Sequence, residues 1–378
     1  MKIILKNRNT LKTLFTYLVV IVAFVVMSSL QQSGQLSYAM KKQLVPICVY
    51  ISLAVSLNLL VGVCGELSLG HASFMGVGAY TGMIVVSLIS ASVPDPTARM
   101  LIAMAAAAVV AGVVGFLVGI PALRLRGDYL AIVTLAFGEI LRNLLQNLHV
   151  GNADGVVRFA FSEKAPEEWM NNIVAGAKGA NLAPGDKTAT FTMGFVLVMV
   201  TLFVVLNIIN SKEGRAIKAV RDNRIAAESV GINVTAFRMK AFVISAALAG
   251  MAGAVYGLDM TNLRPDRLGY NESINILLYV VLGGLGNVLG SVISATALYI
   301  LPEIMKNAAL QDAGGWQQTF AQFLEDYRML LYAGILIILM ICTWSPKIKG
   351  AISQQTDKFK NAVKGLFQMK KEVPDHEG

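Results

Sequence analysis

Apolar runs of about 20 residues recur along the chain, and they constrain its fold more than any other feature. A run of that length, folded as a helix, spans the hydrocarbon core of a bilayer. Charged residues make up 15% of the chain, whereas soluble domains carry roughly 25%. The sequence therefore predicts an all-α polytopic membrane protein with about ten transmembrane helices. The predicted spans are Leu14–Leu30 and residues 44–63, 72–91, 99–122, 129–148, 190–210, 238–258, 272–284, 287–305 and 327–344.

The distribution of Lys and Arg predicts which side of the membrane each loop faces. If the N-terminus is cytoplasmic, the inner segments carry 20 of the 32 Lys and Arg residues, and the outer segments carry 11. With the acids included, the inner segments have a net charge of +11 and the outer segments −2. Because this follows the positive-inside rule, both termini are predicted to be cytoplasmic. The overall charge of +9 then reflects topology rather than nucleic-acid binding, since the basic residues are scattered over several loops.

The two ends of the chain differ from its middle. Basic residues precede the first apolar run, which matches either a cleaved signal peptide or a retained span. We favour the retained span, because the run is long and shows no clear cleavage site. Residues 1–43 then form an N-terminal segment with the first span and an outer loop, and residues 44–344 form the transmembrane domain. Residues 345–378 form a basic tail that we expect on the anionic inner surface of the membrane.

The segment Ser211–Lys240 is polar and strongly charged, although it lies between two long apolar runs. Ser211 and Gly231 are residue types of a helix N-cap and C-cap, so the segment is predicted to hold one amphipathic helix. Small residues follow one face of that helix at three- and four-residue spacing. They are Ala216, Ala219, Val220, Asn223, Ala226, Ala227 and Val230. Such a helix suits docking into a groove on a partner, and the alternative is a solvated loop whose charges only set the topology.

A glycine-rich stretch at Gly62–Gly82 breaks a pair of spans and carries two ionisable side chains, Glu66 and His71. Ionisable residues near membrane depth are functional candidates, and packing or local hydrogen bonding is the alternative role. One Glu and one isolated His supply too few ligands for a metal ion. Asn58 adds a polar group to the preceding span, with the same two alternatives.

Small residues four apart in several predicted spans indicate close contact between helices. Two of these sets superficially resemble nucleotide-binding glycines, but neither follows a strand, so we interpret them as helix contacts too. The sets are Gly115 and Gly119; Ala249, Gly253 and Gly257; Gly76, Gly78 and Gly82; and Gly283, Gly284, Gly286 and Gly290.

The predicted span 129–148 carries Glu139 and Arg142 three residues apart on one helical face. Because an unpaired charge inside a membrane is costly, we expect an intramembrane ion pair, with the polar lining of a pathway as the alternative. The outer loop 149–189 follows this span and is rich in Gly, Asn and acids. It either receives a soluble partner or is passive.

The chain contains no Walker A sequence, no nucleophile elbow and no H-E-x-x-H motif, so we predict no catalysis, no cofactor and no metal site. Its three cysteines, Cys48, Cys64 and Cys342, lie in or beside apolar runs without disulfide or metal spacing. The sequence therefore shows no energy-coupling chemistry of its own.

Four motifs, in order along the chain, resemble those of the branched-chain amino acid ABC transporter permeases. They are NLLVGVCGELSLGHASFMGVGAYTG, LRLRGDYLAIVTLAFGEILRNLLQN, EGRAIKAVRDNRIAAESVGINVTAFRMKAFVISAALAGMAGAVYG and ILLYVVLGGLGNVLGSVISA. The chain looks most like the longer of that system's two permease subunits. The resemblance covers roughly residues 44–344, and urea and short-amide permeases share much of the pattern.

The resemblance implies a subunit of a bacterial inner-membrane importer, paired with a second permease subunit in a heterodimer. Two cytoplasmic ATP-binding subunits and an extracytoplasmic substrate-binding protein are the other expected partners. The implied fold resembles the ten-span permeases of vitamin B12-type importers, and the implied substrates are leucine, isoleucine and valine. A urea or short-amide permease of the same family is one alternative, and a secondary transporter or channel is an alternative from a different class.

The resemblance also implies that a coupling helix for the ATPase lies in the loop 211–237. The residues that would contact or shape the ATPase interface are Gly214, Arg215, Ala219, Arg221, Ala227, Glu228, Gly231 and Ile232. The candidates near the substrate path are Asn58, Glu66, Ser68 and His71.

Overall fold

The computed structural model describes residues 8–311 apart from positions 35, 91, 126, 154–155, 162–170, 183–186 and 261, together with residue 334. The chain divides into two units, Met1–Ile304 and Met305–Gly378. Most described residues are helical. The helices are α1 (Arg8–Gln32), α2 (Tyr38–Asn58), α3 (His71–Ile89), α4 (Pro96–Ala122), α5 (Asp128–Asn147), α6 (Phe191–Asn210), α7 (Lys212–Asp222), α8 (Arg224–Ser229), α9 (Val234–Asp259), α10 (Tyr270–Gly283) and α11 (Val288–Gln311).

Six helical stretches in this part of the chain are long and apolar enough to cross a membrane, and each coincides with a predicted span. They are Thr13–Gln32, Met40–Cys64, His71–Ile89, Pro96–Ala122, Phe191–Asn210 and Val234–Asp259. Three further predicted spans fall on α5, α10 and α11, of which α10 has 14 residues. The predicted span 327–344 and the tail 345–378 lie outside the described residues, apart from residue 334. The chain is thus a polytopic, mainly helical membrane protein.

Helix α2 lies at the centre of the described bundle. Every residue from Leu44 to Cys64 is buried, whereas only 11% of the apolar stretch Thr13–Gln32 in α1 is buried. After α2 the chain widens into a π-helical turn, Leu59–Cys64, which ends at Gly65 with a left-handed φ of +79°. Short π-helical turns are rare and frequently occur at functional sites. The chain then runs without helical structure as far as α3.

Helices α3, α4 and α9 pack with their backbones in contact. A side-chain carbon at Gly253 of α9 would overlap the carbonyl oxygen of Met75 in α3. On α4, a Cβ at Gly115 would lie 2.6 Å from the Cβ of Ala246 in α9. The close helix contacts predicted from the spacing of small residues are therefore confirmed for these three helices.

Helices α10 and α11 form a hairpin joined by a glycine-rich turn. Gly283 and Gly290 approach each other so closely that neither leaves room for a side chain. Within the turn, Gly284 and Gly286 have φ angles of +89° and +81°, which L side chains rarely adopt. The prediction of close helix contact is thus confirmed for Gly283 and Gly290, whereas Gly284 is needed for the backbone angle of the turn.

The polar segment after α6 folds as two helices, so the prediction of a single helix is wrong. Asn223 ends α7 and starts α8, because its side chain accepts a hydrogen bond from the Ala226 amide at 3.1 Å. Both predicted caps are confirmed. The Gly214 amide donates to Ser211 Oγ at 3.1 Å, and Gly231 closes α8 with a φ of +84°. The predicted stripe of small residues is therefore divided between two helices.

The chain is mainly helical, as predicted, but it also contains a small β-sheet that the prediction of an all-α fold did not include. The loop between α5 and α6 contributes four strands and the segment after α9 contributes a fifth, in the antiparallel order β2-β1-β3-β4-β5. The strands are β1 (Leu148–Ala153), β2 (Val156–Phe161), β3 (Asn171–Ala175), β4 (Ala180–Asn181) and β5 (Asn262–Leu263). In the sequence, Asp154-Gly155 between two short runs is a hairpin signal. Because the loop is polar overall, the sequence was interpreted as a loop without strands.

Candidate functional site

The polar side chains of the four sequence motifs converge on the segment between α2 and α3, Leu59–Gly70, which we call the helix break. Side chains from α2, α5, α7 and α9 and groups of the α10–α11 turn meet there, although these elements are far apart in sequence. Because all four motifs contribute to it, the helix break is the candidate functional site.

Arg221 near the end of α7 binds the π-helical turn of the helix break. Its Nη1 atom donates a hydrogen bond of 2.8 Å to the Gly62 carbonyl oxygen, while Nε and Nη2 donate to Asp222 Oδ1. The aliphatic part of the side chain covers Gly65, where an added Cβ would lie 2.5 Å from Arg221 Cγ. Arg221 therefore holds the backbone of the turn that follows α2.

Asn58, the last residue of α2, is fully buried and bonds to the α10–α11 turn. Its Oδ1 atom accepts a hydrogen bond of 2.8 Å from the Gly286 amide, and its Nδ2 atom donates one of 2.8 Å to Ser291 Oγ. Both ends of the side-chain amide are engaged within the protein. These contacts make Asn58 a link between α2 and the turn.

Glu66 forms a buried ion pair with Arg238 near the start of α9. Their side chains are 15% and 4% exposed, so the pair is largely removed from solvent. Arg238 also donates to two carbonyl oxygens after α4, those of Leu123 at 3.1 Å and Leu125 at 3.4 Å. A buried charge needs compensation of this kind, so Glu66 depends on Arg238. Sequence reasoning missed the pairing, because it singled out Glu66 without a partner.

Hydrogen bonds from neighbouring helices hold the extended part of the helix break and the start of α3. His71, which is 1% exposed, has its Nε2 atom 2.9 Å from Ser56 Oγ. The Leu69 amide donates to Thr134 Oγ1 of α5 at 3.1 Å. These contacts support the packing alternative for His71. Among the described residues, no group of three or more His, Cys, Asp or Glu side chains is placed to hold a metal ion.

Ser68 differs from the other candidates near the substrate path. Its side chain is 1% exposed, and its hydroxyl oxygen has no hydrogen-bond partner within the part of the chain that the structure describes. A buried hydroxyl favours a hydrogen-bond partner, because leaving its donor or acceptor unsatisfied is costly. Ser68 is therefore the candidate in the helix break whose hydroxyl group can still form hydrogen bonds.

The inner face of the α7–α8 segment, Lys212–Gly231, packs against the bundle. Gly214 lies against the last carbonyl groups of α6, where a side chain does not fit. Val220 and Ala227 belong to a small apolar cluster that Ile232 covers. Gly214, Ala227 and Ile232 therefore shape the segment from within.

The outer face of the same segment presents both apolar and charged side chains. Ile225 and Val230 are 80% and 74% exposed. The exposed members of the predicted coupling set are Arg215, Arg221, Glu228 and Gly231, and Ala219 is half-buried. Sequence reasoning missed Ile225, because it lies outside the stripe of small residues. An isoleucine within a strongly charged segment was the signal available.

Glu139 and Arg142 of α5 form an ion pair, with 2.7 Å between Oε2 and Nε. Arg142 Nη1 also lies 3.4 Å from Asp266 Oδ1, and Gln146 donates to that same oxygen at 2.7 Å. Glu139 Oε1 accepts a hydrogen bond from the Tyr270 amide at 3.2 Å. The network thus attaches the segment that precedes α10 to α5.

Comparison with known proteins gives a consistent result. A family described as the permease component of the branched-chain amino acid transport system matches residues 40–340. The matched region contains all four sequence motifs and the helix break. No solved structure matches the chain significantly.

Individual relatives are similar over most of their length. The high-affinity branched-chain amino acid transport system permease protein LivM of Escherichia coli is 33% identical over 331 residues, which are 84% of this chain and 71% of that protein. LivM of Salmonella typhimurium is 32% identical over 310 residues, or 79% of this chain and 67% of that protein. The permease protein LivH of the latter species is 23% identical over 250 residues, or 66% and 79%. The similarity thus extends to permease proteins with two different names, and it is greater to LivM.

Proposed function

The chain belongs to the family of branched-chain amino acid transport permeases, and on this basis we propose that it is the membrane-spanning subunit of an ATP-driven importer of leucine, isoleucine and valine. The observation that carries the proposal is the family match over residues 40–340. That match includes the helix break, the α7–α8 segment and the α10–α11 turn. A transport permease is not itself an enzyme, and the proposal assigns ATP hydrolysis to partner subunits.

In this proposal the chain crosses a bacterial inner membrane about ten times, in a fold like that of the vitamin B12-type importers, with residues 44–344 as the transmembrane domain. The six long apolar helices support it, and so do α5, α10 and α11 at the positions of further predicted spans. The excess of Lys and Arg in the inner segments supports cytoplasmic termini and a cytoplasmic α7–α8 segment.

The proposed complex contains a second permease subunit, two ATP-binding subunits and a substrate-binding protein. The similarity to both LivM and LivH supports the pairing of two permeases. The antiparallel sheet between α5 and α6 would face the outside, where the binding protein delivers substrate.

The α7–α8 segment has the features that docking of an ATP-binding subunit requires. Ile225 and Val230 provide exposed apolar anchors, and Arg215 and Glu228 provide exposed charges beside the packed inner face. ATP-driven closure of the two ATP-binding subunits would move this segment. The permease contributes two arrangements of similar stability, and ATP supplies the bias between them.

An apolar amino acid needs mainly apolar walls and a few polar groups around its charged ends. Among the four candidates in and beside the helix break, Ser68 fits this need best, because its buried hydroxyl is unengaged within the described residues. Asn58, Glu66 and His71 are engaged by Gly286, Arg238 and Ser56, and they would support the path by holding its backbone in place.

Replacing Ile225 by aspartate is expected to weaken binding of the ATP-binding subunits about fivefold or more, because an apolar anchor of an interface contributes more than about 1 kcal/mol. The measurement is a titration of the purified permease pair in nanodiscs with the ATP-binding subunits. Phe159→Asp is the matched control, since Phe159 is 62% exposed on β2 of the sheet. Undiminished binding by the Ile225→Asp protein would show that the α7–α8 segment only sets the topology.

Uptake of labelled leucine into proteoliposomes that contain the complete complex is expected to require ATP hydrolysis. A large excess of unlabelled isoleucine or valine is expected to abolish the signal, and the same excess of urea is expected to leave it unchanged. Competition by urea would instead indicate a short-amide permease of the same family. Uptake that persists with inactive ATP-binding subunits but collapses with a proton uncoupler would indicate a secondary transporter.

A further inference from the structure

Arg221 connects the surface of the protein to the backbone that continues its central helix. Its side chain is 40% exposed on α7, yet its Nη1 atom donates to the Gly62 carbonyl oxygen inside the π-helical turn. Asp222 Oδ1 accepts from the guanidinium at 3.0 and 3.1 Å and so fixes its orientation. Because the bond to Gly62 goes to main chain, a displacement of α7 acts directly on the end of α2.

The same turn is bonded on its other side to the α10–α11 turn. Asn58, one helical turn before Gly62, accepts from the Gly286 amide and donates to the Ser291 hydroxyl, both at 2.8 Å. A side chain at Gly62 would overlap the backbone of Gly286, so the two main chains are in contact. A continuous series of contacts therefore runs from Arg221 on α7 through the end of α2 to α10 and α11.

The surroundings of this series of contacts leave room for movement. A cavity of about 540 Å³ lies beside it, lined by Lys218 of α7 and by residues 286–289 of the α10–α11 turn, among others. The series itself includes a π-helical turn and two glycines with left-handed φ, Gly65 and Gly286. π-Helical turns are sites where helices bend, and glycine tolerates backbone angles that other residues do not.

We propose that the contacts Arg221–Gly62 and Asn58–Gly286 transmit movement of the α7–α8 segment to the α10–α11 turn. Arg221 and Asn58 are then positioning residues for the transport step. The inference rests on the proposed function, because it takes the ATP-binding subunits as the source of the movement. In this inference Asn58 acts in coupling rather than in substrate binding. Arg221 holds the Gly62 carbonyl oxygen inside the protein, in addition to any contact that it makes with a partner.

The test is the number of leucine molecules transported per ATP hydrolysed by the complete complex in proteoliposomes. Arg221→Met removes the bond to Gly62 and keeps most of the side-chain length. With the ATP-binding subunits at saturating concentration, so that a change in their affinity does not limit assembly of the complex, this ratio is expected to fall about tenfold. Arg221→Lys retains a donor and is expected to restore most of the ratio. Ser291→Ala removes a partner of Asn58 without altering α7, and it is expected to lower the ratio in the same direction.

Lys240→Met is the matched control. Lys240 also joins α7 to α9, through Glu213 at 2.7 Å, and its ring contact is with Phe237, so neither of these contacts involves Gly62. An unchanged ratio in the Arg221→Met complex, or an equal fall in the Lys240→Met complex, would overturn the linkage and leave the proposed function intact. Loss of subunit binding together with transport in the Arg221→Met complex would make Arg221 a docking residue only, which also overturns the linkage. A wild-type complex that transports no leucine would refute the proposed function and the linkage with it.

Discussion

Gly253→Ala is expected to destabilise the folded protein by about 3 kcal/mol or more, because its backbone contact leaves no space for a methyl group. The added Cβ would overlap the Met75 carbonyl oxygen, and a main-chain atom cannot rotate away as a flexible side chain can. Relief requires α9 and α3 to separate. Because α9 also packs its Ala246 against Gly115 of α4, that separation would disturb a second interface. Thermal unfolding in detergent and the yield of monodisperse protein measure the effect.

Gly112→Ala provides the control for this substitution. The same methyl group on α4 would lie 3.4 Å from Ala247 Cβ, which is ordinary van der Waals contact. Its effect is expected to stay within about 0.5–1 kcal/mol, and alanine also favours the helix over glycine by about that amount. Equal melting temperatures for the two variants would contradict the backbone contact between α3 and α9.

Arg238→Met is expected to destabilise the protein by about 3–5 kcal/mol, because it leaves the buried Glu66 carboxylate without its counter-charge. The guanidinium also donates to the Leu123 and Leu125 carbonyl oxygens, so two further acceptors lose a donor. Unfolding of the purified protein in detergent measures the loss. Glu66→Gln in the Arg238→Met background is expected to recover part of it, since the second change removes the uncompensated charge.

The exposed pair between Lys240 and Glu213 offers a control on the same helix. Both side chains are 50% exposed, so Lys240→Met is expected to cost only about 0–1 kcal/mol. If Arg238→Met were no more destabilising than Lys240→Met, the ion pair with Glu66 would not support the fold.

Much of the fold was predictable, because its determinants lie close together in sequence. A hydrophobic run specifies a span by its own length and composition, and a cap such as Ser211 or Gly231 acts on the adjacent turn. The spacing that brings Gly253 to a helix surface is likewise local. What the spacing cannot specify is the partner, and the contact of Gly253 with Met75 rather than with another helix required the structure.

Two local features were nevertheless mispredicted. Asn223 fits the small polar face of one continuous helix, but its side chain caps the Ala226 amide, and that hydrogen bond competes with helix continuation. The sheet was not predicted from the sequence, because its strands are short and interrupted by polar residues. Its two-residue strands β4 and β5 form only through pairing with other strands of the sheet, so neither carries a strand signal of its own.

In the candidate site, too, the sequence indicated which residue types matter but not which residues they contact. Sequence reasoning selected Asn58, Glu66 and His71 because polar groups near membrane depth are rare and costly. Whether such a group serves a substrate or the fold depends on what surrounds it. The surroundings of Glu66 include Arg238 on a distant helix, and one sequence read by itself does not pair the two.

The ladder between β4 and β5 has a consequence for how often the chain crosses the bilayer. Ala180 pairs with Leu263, and Asn181 pairs with Asn262. Hydrogen-bonded strands share one side of the membrane, so the chain between them must traverse it an even number of times. Within that interval of the described chain, α6 and α9 are the helices long and apolar enough to cross. If both of these helices cross the bilayer, the two backbone pairings require the α7–α8 segment and the sheet to lie on opposite faces of it.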